Sequence, residues 1–157
     1  MRTIILLFSI IALASCFKIA RKPDQLPSIA ETRIEVCSVD DIEATYERLM
    51  RMAKQCLEKR RSTTGYAAIT TTTTFTIFGE RSENGRSARI FQERHSPGET
   101  SFNVMVDLSR PPVDGAQCKS IATIYHRWST EEFVAEAQMI RGWVDGTSST
   151  CTSDGGG

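Results

Sequence analysis

Cysteine and histidine carry most of the chemistry open to this 157-residue chain, which has five of the first and two of the second. A thiolate can attack, bind a metal or pair as a disulfide, and an imidazole can move protons or bind a metal. His95 stands beside the Pro97-Gly98 turn and His126 near the end of an alternating run. Neither is at metal-ligand spacing from a second histidine or a cysteine, so neither a metal nor a cofactor is expected. They read as a solvated turn residue and a sheet-face residue. Asp40-Asp41 and Glu131-Glu132 look like paired carboxylates, but each pair begins a helix, where the dipole accounts for negative charge. The sequence holds no phosphate-binding loop, dinucleotide fingerprint or nucleophile elbow. A catalytic site would have to use isolated residues such as His126, Asp107 or Tyr125.

The first cysteine has a different context. An apolar run from Ile4 to Ala14 follows Arg2 and ends in the stretch IALASC, residues 11–16. It is about half the ~20 residues that a membrane-spanning helix needs. A basic start, a short apolar stretch and small residues together form the layout of a secretory signal. Ala12-Leu13-Ala14 permits cleavage before Ser15. Leu13-Ala14-Ser15-Cys16 instead resembles the lipobox of bacterial lipoproteins, a leucine and two small residues ahead of a cysteine. The resemblance covers the first 16 residues alone; the remainder carries no family motif. It implies that residues 1–15 are a signal peptide and that Cys16 becomes the lipidated amino terminus. One acyl chain anchors only marginally, and a lipoprotein carries two or three. Phe17 is not the aspartate that marks inner-membrane retention in enteric bacteria. The resemblance therefore implies the periplasmic face of an outer membrane, or the cell membrane in a bacterium with one membrane.

Loss of Arg2 with the signal takes the formal charge from 0 to −1. Neither nucleic acid nor an anionic surface is implied as a partner. Lys59-Arg60-Arg61 reads as the solvated end of a helix, where cations suit the dipole.

The elements that must position these residues follow from periodicity. Residues 16–31, with Pro23 and Pro27, read as an extended tether between lipid and domain. Thr32 to Val36 alternates as a short strand would. A helix is expected from Ser38, as its cap, to about Glu58, with Ile42, Tyr46, Leu49, Ala53 and Cys56 in one stripe. The period then changes to two. In residues 68–78, Ile69, Thr71, Thr73, Phe75 and Ile77 share a face, and threonine favours strands. Asn84-Gly85 predicts a hairpin into a strand at 88–94, and Ser96-Pro97-Gly98 a turn. Phe102, Val104, Val106 and Leu108 alternate in a third strand, and Lys119 to Trp128 forms a fourth. Ser129 and Glu132 form a capping box for a second helix with Phe133, Ala137, Ile140 and Val144 buried, and Gly146 stops it.

These elements predict an α+β fold: a two-layer sandwich, with a four-stranded antiparallel meander and an N-terminal and a C-terminal helix on one face. The single domain spans 32–146 and a mobile tail 147–157. The uncovered face would show Thr72, Thr74, Asn103, Met105 and Asp107.

With Cys16 lipidated, Cys37, Cys56, Cys118 and Cys151 remain. Cys37 and Cys56 would lie at opposite ends of the first helix, about 28 Å apart at ~1.5 Å per residue, and a disulfide spans about 7 Å at most. The antiparallel return of the second helix along the fourth strand ranks Cys118 with Cys151 first. Cys37 with Cys118 or Cys151 stays open, as does a free buried thiol at Cys56.

The functional expectation is a membrane-anchored bacterial envelope lipoprotein acting as a small non-catalytic binding or assembly module. Its partners are the membrane, through Cys16, and an envelope protein that meets the uncovered sheet face or an edge strand. The alternative is a small periplasmic enzyme, or an inhibitor of an envelope hydrolase. A pocket with convergent polar groups would favour the enzyme, and a flat sheet without a pocket the module.

Overall fold

The computed structural model describes residues 19–65, 69–112 and 117–151. The signal peptide expected at 1–15 and the lipidation site Cys16 lie outside the described residues.

The described chain opens with a 3₁₀ turn, Pro23–Gln25, and a short helix α1, Leu26–Ile29. It continues through β1 (Thr32–Ser38), α2 (Ile42–Leu57), β2 (Lys59–Thr64), β3 (Thr70–Arg81), β4 (Ser87–Ser96), β5 (Glu99–Ser109), β6 (Ser120–His126) and α3 (Glu131–Asp145). The six strands form one antiparallel sheet in the order β1-β6-β5-β4-β3-β2, curled into a half-barrel. The α+β class matches the sequence reading, but the two-layer sandwich on a four-stranded meander does not: the sheet has six strands, and α1 lies on the face opposite the two long helices. Both additional strands are edges. β1 pairs with β6 along its whole length, Thr32 opposite His126 and Ser38 opposite Ser120. β2 extends Lys59-Arg60-Arg61 into a strand paired with β3, where a helix end was expected. Every residue of β2 is exposed, so no apolar alternation announces it. Cross-strand hydroxyl pairs, Ser62 with Thr72 and Thr64 with Thr70, line its seam.

Both long helices fill the concave face of the sheet. Tyr46, Leu49 and Leu57 from α2 and Ala137, Ile140 and Trp143 from α3 pack on Val36, Ile90, Val106 and Ile124. Tyr46 comes so close to β3 that a Cβ on Gly79 would lie 2.0 Å from its hydroxyl oxygen. Glycine is therefore required there for the helix to seat. The cap of α2 is Asp41, whose Oδ1 accepts the Ala44 N–H at 2.9 Å, while Ser38 ends β1 and hydrogen-bonds Thr45. At α3 the cap position is Thr130, and Ser129 donates instead to Glu31.

The convex face is not open. Residues 19–31, expected as a tether, lie against it, with Ala20 and Leu26 fully buried beside Phe91, Phe102 and Met105. The Phe102 N–H donates to the Ala20 carbonyl at 3.0 Å, and Arg89 pairs with both Asp24 and Asp107. Met105, expected on an uncovered face, is wholly buried. A bulge explains Phe102. The β4–β5 register shifts between Gln92 and Glu93, so Val104 faces Gln92 and Phe102 faces Glu93. The unpaired Asn103 reverses the alternation, turning Phe102 to the convex side.

The disulfides are Cys37–Cys118 and Cys56–Cys151, not Cys118–Cys151. Because β1 is the neighbour of β6, Cys37 stands opposite Ile121, close to the entry of Cys118. After α3 the chain turns at Gly146, φ 77°, and runs back past Gly142 and Trp143 to Cys56. Residues 147–151, expected in the mobile tail, are held by these contacts; residues 152–157 lie outside the described residues.

Candidate functional site: a basic cleft at the open end of the sheet

A helix shorter than its sheet leaves part of the sheet bare. The 16 residues of α2 span about 24 Å, and the 12 residues of β3 about 40 Å. The end of α2 is sealed onto the sheet by Gln92, whose side-chain amide donates to the Leu57 carbonyl at 3.1 Å. Glu58 accepts the Ile77 N–H at 3.1 Å. Past that point the concave surface changes character row by row. In the row Gly79, Ile90, Val106 and Ile124, the last three are core and Gly79 is exposed. The next, Ile77, Gln92, Val104 and His126, is mixed. The last, Lys59, Phe75, Arg94 and Ser101, lies beyond the helix end.

This surface forms a cleft of about 400 Å³. The sheet contributes Lys59, Arg61, Phe75, Gln92, Arg94, Asn103 and His126, the loop after β6 contributes Arg127 and Trp128, and the start of α3 contributes Glu132, Phe133 and Glu136. Four cations thus face two carboxylates, with three aromatic rings between them. Lys59 lies over the Phe75 ring at 5.6 Å, and Arg127 over the Trp128 ring at 4.2 Å.

Arg127 is 6% exposed. Burial lowers its pKa from the usual arginine range; Glu99 raises it, Arg94 lowers it and Glu31 raises it, each by a smaller amount. Its guanidinium makes no ion pair among the described residues. Ser101, across from Arg94, keeps a buried hydroxyl without a hydrogen-bond partner among the described residues.

His126 is 1% exposed. Nδ1 accepts the Trp128 N–H at 3.2 Å, which places the proton of the neutral ring on Nε2. Nε2 lies 3.5 Å from Glu136, and the ring packs on Phe133 at 4.7 Å. The imidazole packs between β6 and the start of α3, with Nδ1 committed to the Trp128 N–H and Nε2 turned toward Glu136.

Of the isolated residues named from the sequence, His126 alone reaches the cleft. Asp107 bonds Arg89, and Tyr125 packs with the convex-face cluster. His95 is exposed and bonds Thr100 at 3.1 Å. Asn103, expected on the uncovered face, lines the cleft instead. Sequence reasoning missed Lys59, Arg61, Arg94 and Arg127. The usable signal was the i, i+2 spacing of Lys59 and Arg61, which shares a face only if the segment is a strand. Among the described residues no group of three His, Cys, Asp or Glu side chains could hold a metal ion, and no helix is long and apolar enough to cross a membrane. Comparison of the chain with family models, curated proteins and solved structures finds no match.

Proposed function

We propose that this chain is a lipid-anchored, non-catalytic binding domain of the bacterial envelope, and that the basic cleft is where it binds. The lipobox-like Leu13-Ala14-Ser15-Cys16 supports the anchor and the envelope address. Two disulfides suit an oxidising compartment. The observation that carries the binding reading is the convergence on one cleft of Lys59, Arg61, Arg94 and the buried Arg127, which has no ion pair among the described residues. Arginine holds its proton at neutral pH, so Arg61, Arg94 and Arg127 attract and orient but do not transfer protons. The convex face, considered from the sequence as a docking surface for an envelope protein, is partly covered by residues 19–31, which favours the cleft as the recognition surface.

A small periplasmic enzyme is the second reading, favoured by a cleft in which polar groups converge. It rests on Glu132 and the His126–Glu136 pair, and the burial of His126 with its Nδ1 held by the Trp128 N–H weighs against it.

The anchor is tested by labelling cells with a fatty-acid analogue. Wild type should carry label and sediment with membranes, and Cys16→Ala should do neither. An unlabelled, soluble wild type would refute it. The cleft is tested by thermal shift of the exported protein against a panel of small anions, cations and neutral compounds, followed by mass analysis of the recovered compound. Stabilisation with the compound unchanged supports binding without turnover, and a converted compound would establish the enzyme. A panel without any shift would refute the cleft as a binding site.

A further inference from the structure

We infer that the ligand of this cleft is a small organic monoanion with a flat apolar body, its anionic end held by Arg127 and its ring against Trp128 and Phe133. The inference deepens the binding reading above and rests on it. A cation removed from water is unfavourable unless something compensates it. Arg127 is nearly buried, its guanidinium lies over the Trp128 ring at 4.2 Å, and Glu99 and Glu31 act on it only at a distance, with no ion pair to it among the described residues. Stacking occupies a face of the guanidinium and leaves its N–H edge, the fork that matches a carboxylate in two parallel hydrogen bonds. Arg94 of β4 and Arg61 of β2 line the same cleft and add charge of the same sign.

The rest of the cleft selects the body that carries the charge. Phe75, Trp128 and Phe133 give apolar walls, and about 400 Å³ is at the small-ligand end of the range for binding pockets. Glu132 and Glu136 on the α3 wall disfavour a second negative charge. A polyanion would meet those carboxylates, and a neutral ring would leave the N–H edge of Arg127 without an anion. A single anionic group on a planar body satisfies both.

Calorimetric titration of the full-length exported protein tests this with three probes: 2-naphthoate, 2-naphthalenemethanol and inorganic phosphate. Naphthoate should saturate one site, and the alcohol and phosphate should each bind at least tenfold more weakly. Arg127→Met should weaken naphthoate at least tenfold, whereas Arg110→Met, outside the cleft, should not change it. Should Arg127→Met fail to fold, Arg94→Met and Trp128→Leu serve instead, each expected to weaken naphthoate severalfold. Equal binding of the alcohol, or unchanged affinity in the cleft variants, would overturn the anion while leaving the cleft as a binding site. Phosphate as tight as naphthoate would overturn the flat body. Binding of none of the three would overturn the inference, whereas the binding reading itself falls only if the thermal-shift panel is also silent.

Discussion

Arg48 of α2 closes the far end of α3: its Nε donates to the Trp143 carbonyl at 2.7 Å, and its Nη2 donates to the Val144 carbonyl, also at 2.7 Å. Its Nη1 meets Asp40 at 2.5 Å. The last carbonyls of a helix have no partner within the helix, and a cation there also suits the dipole. Arg48→Met should therefore lower stability by about 2–4 kcal/mol, from the loss of two charge-assisted hydrogen bonds to main chain. Arg48→Lys should recover only part of it, because an ammonium cannot fork between two carbonyls. Urea melts of the three proteins check both expectations; a Met variant as stable as wild type would contradict the clamp.

The disulfides join residues 81 and 95 positions apart. Chain-entropy reasoning rates each closure at about 4–5 kcal/mol if unstrained. Cys37→Ser/Cys118→Ser and Cys56→Ser/Cys151→Ser should each lower the melting temperature markedly and independently. Peptide mapping without reductant should recover Cys37 with Cys118 and Cys56 with Cys151. A Cys118–Cys151 peptide would be incompatible with β1 beside β6.

At Gly79 the expectation is steric. Gly79→Ala places a methyl group 2.0 Å from the Tyr46 hydroxyl oxygen and 2.8 Å from the Met50 sulfur. Overpacking of this kind costs about 1–3 kcal/mol. In a Tyr46→Phe background the same change should cost less, because the closest atom is gone. A double-mutant cycle in denaturant reads the difference, and equal costs in both backgrounds would mean that Tyr46 does not sit over Gly79.

Leu26 is fully buried against the convex face. Leu26→Ala should cost about 2–5 kcal/mol, the range for emptying a core leucine site, and should raise amide exchange in residues 19–31. A change near zero would restore these residues to the role of a plain tether.

What was legible in the sequence is what burial makes periodic. The stripe of α2, the burial of Ala137, Ile140 and Val144 in α3, the Asn84-Gly85 hairpin with Gly85 at φ 64° and the stop at Gly146 all obey rules one segment at a time, whereas Phe133, expected buried, is half-buried in the cleft. β2 escaped because an exposed edge strand needs no apolar face. Phe102 was assigned to the wrong side because a bulge reverses parity without changing composition. Ala20 and Leu26 are too sparse to form a pattern. The cleft depends on where α2 stops relative to four strands, and Arg127 gains its meaning from burial that only the assembled sheet creates.

The pairing of β1 with β6 also sets an order of events. A chain that is made or moved across a membrane from its amino terminus delivers Thr32–Ser38 long before Ser120–His126. Until the last strand arrives, β1 has no partner, and its exposed main-chain groups are open to pairing with another chain. The meander of neighbouring strands can zip early, whereas this closure waits for the whole domain. Truncation ahead of residue 120 would leave the first strand without β6, its one sheet neighbour among the described residues, and the hazard of such a fragment is aggregation rather than partial function.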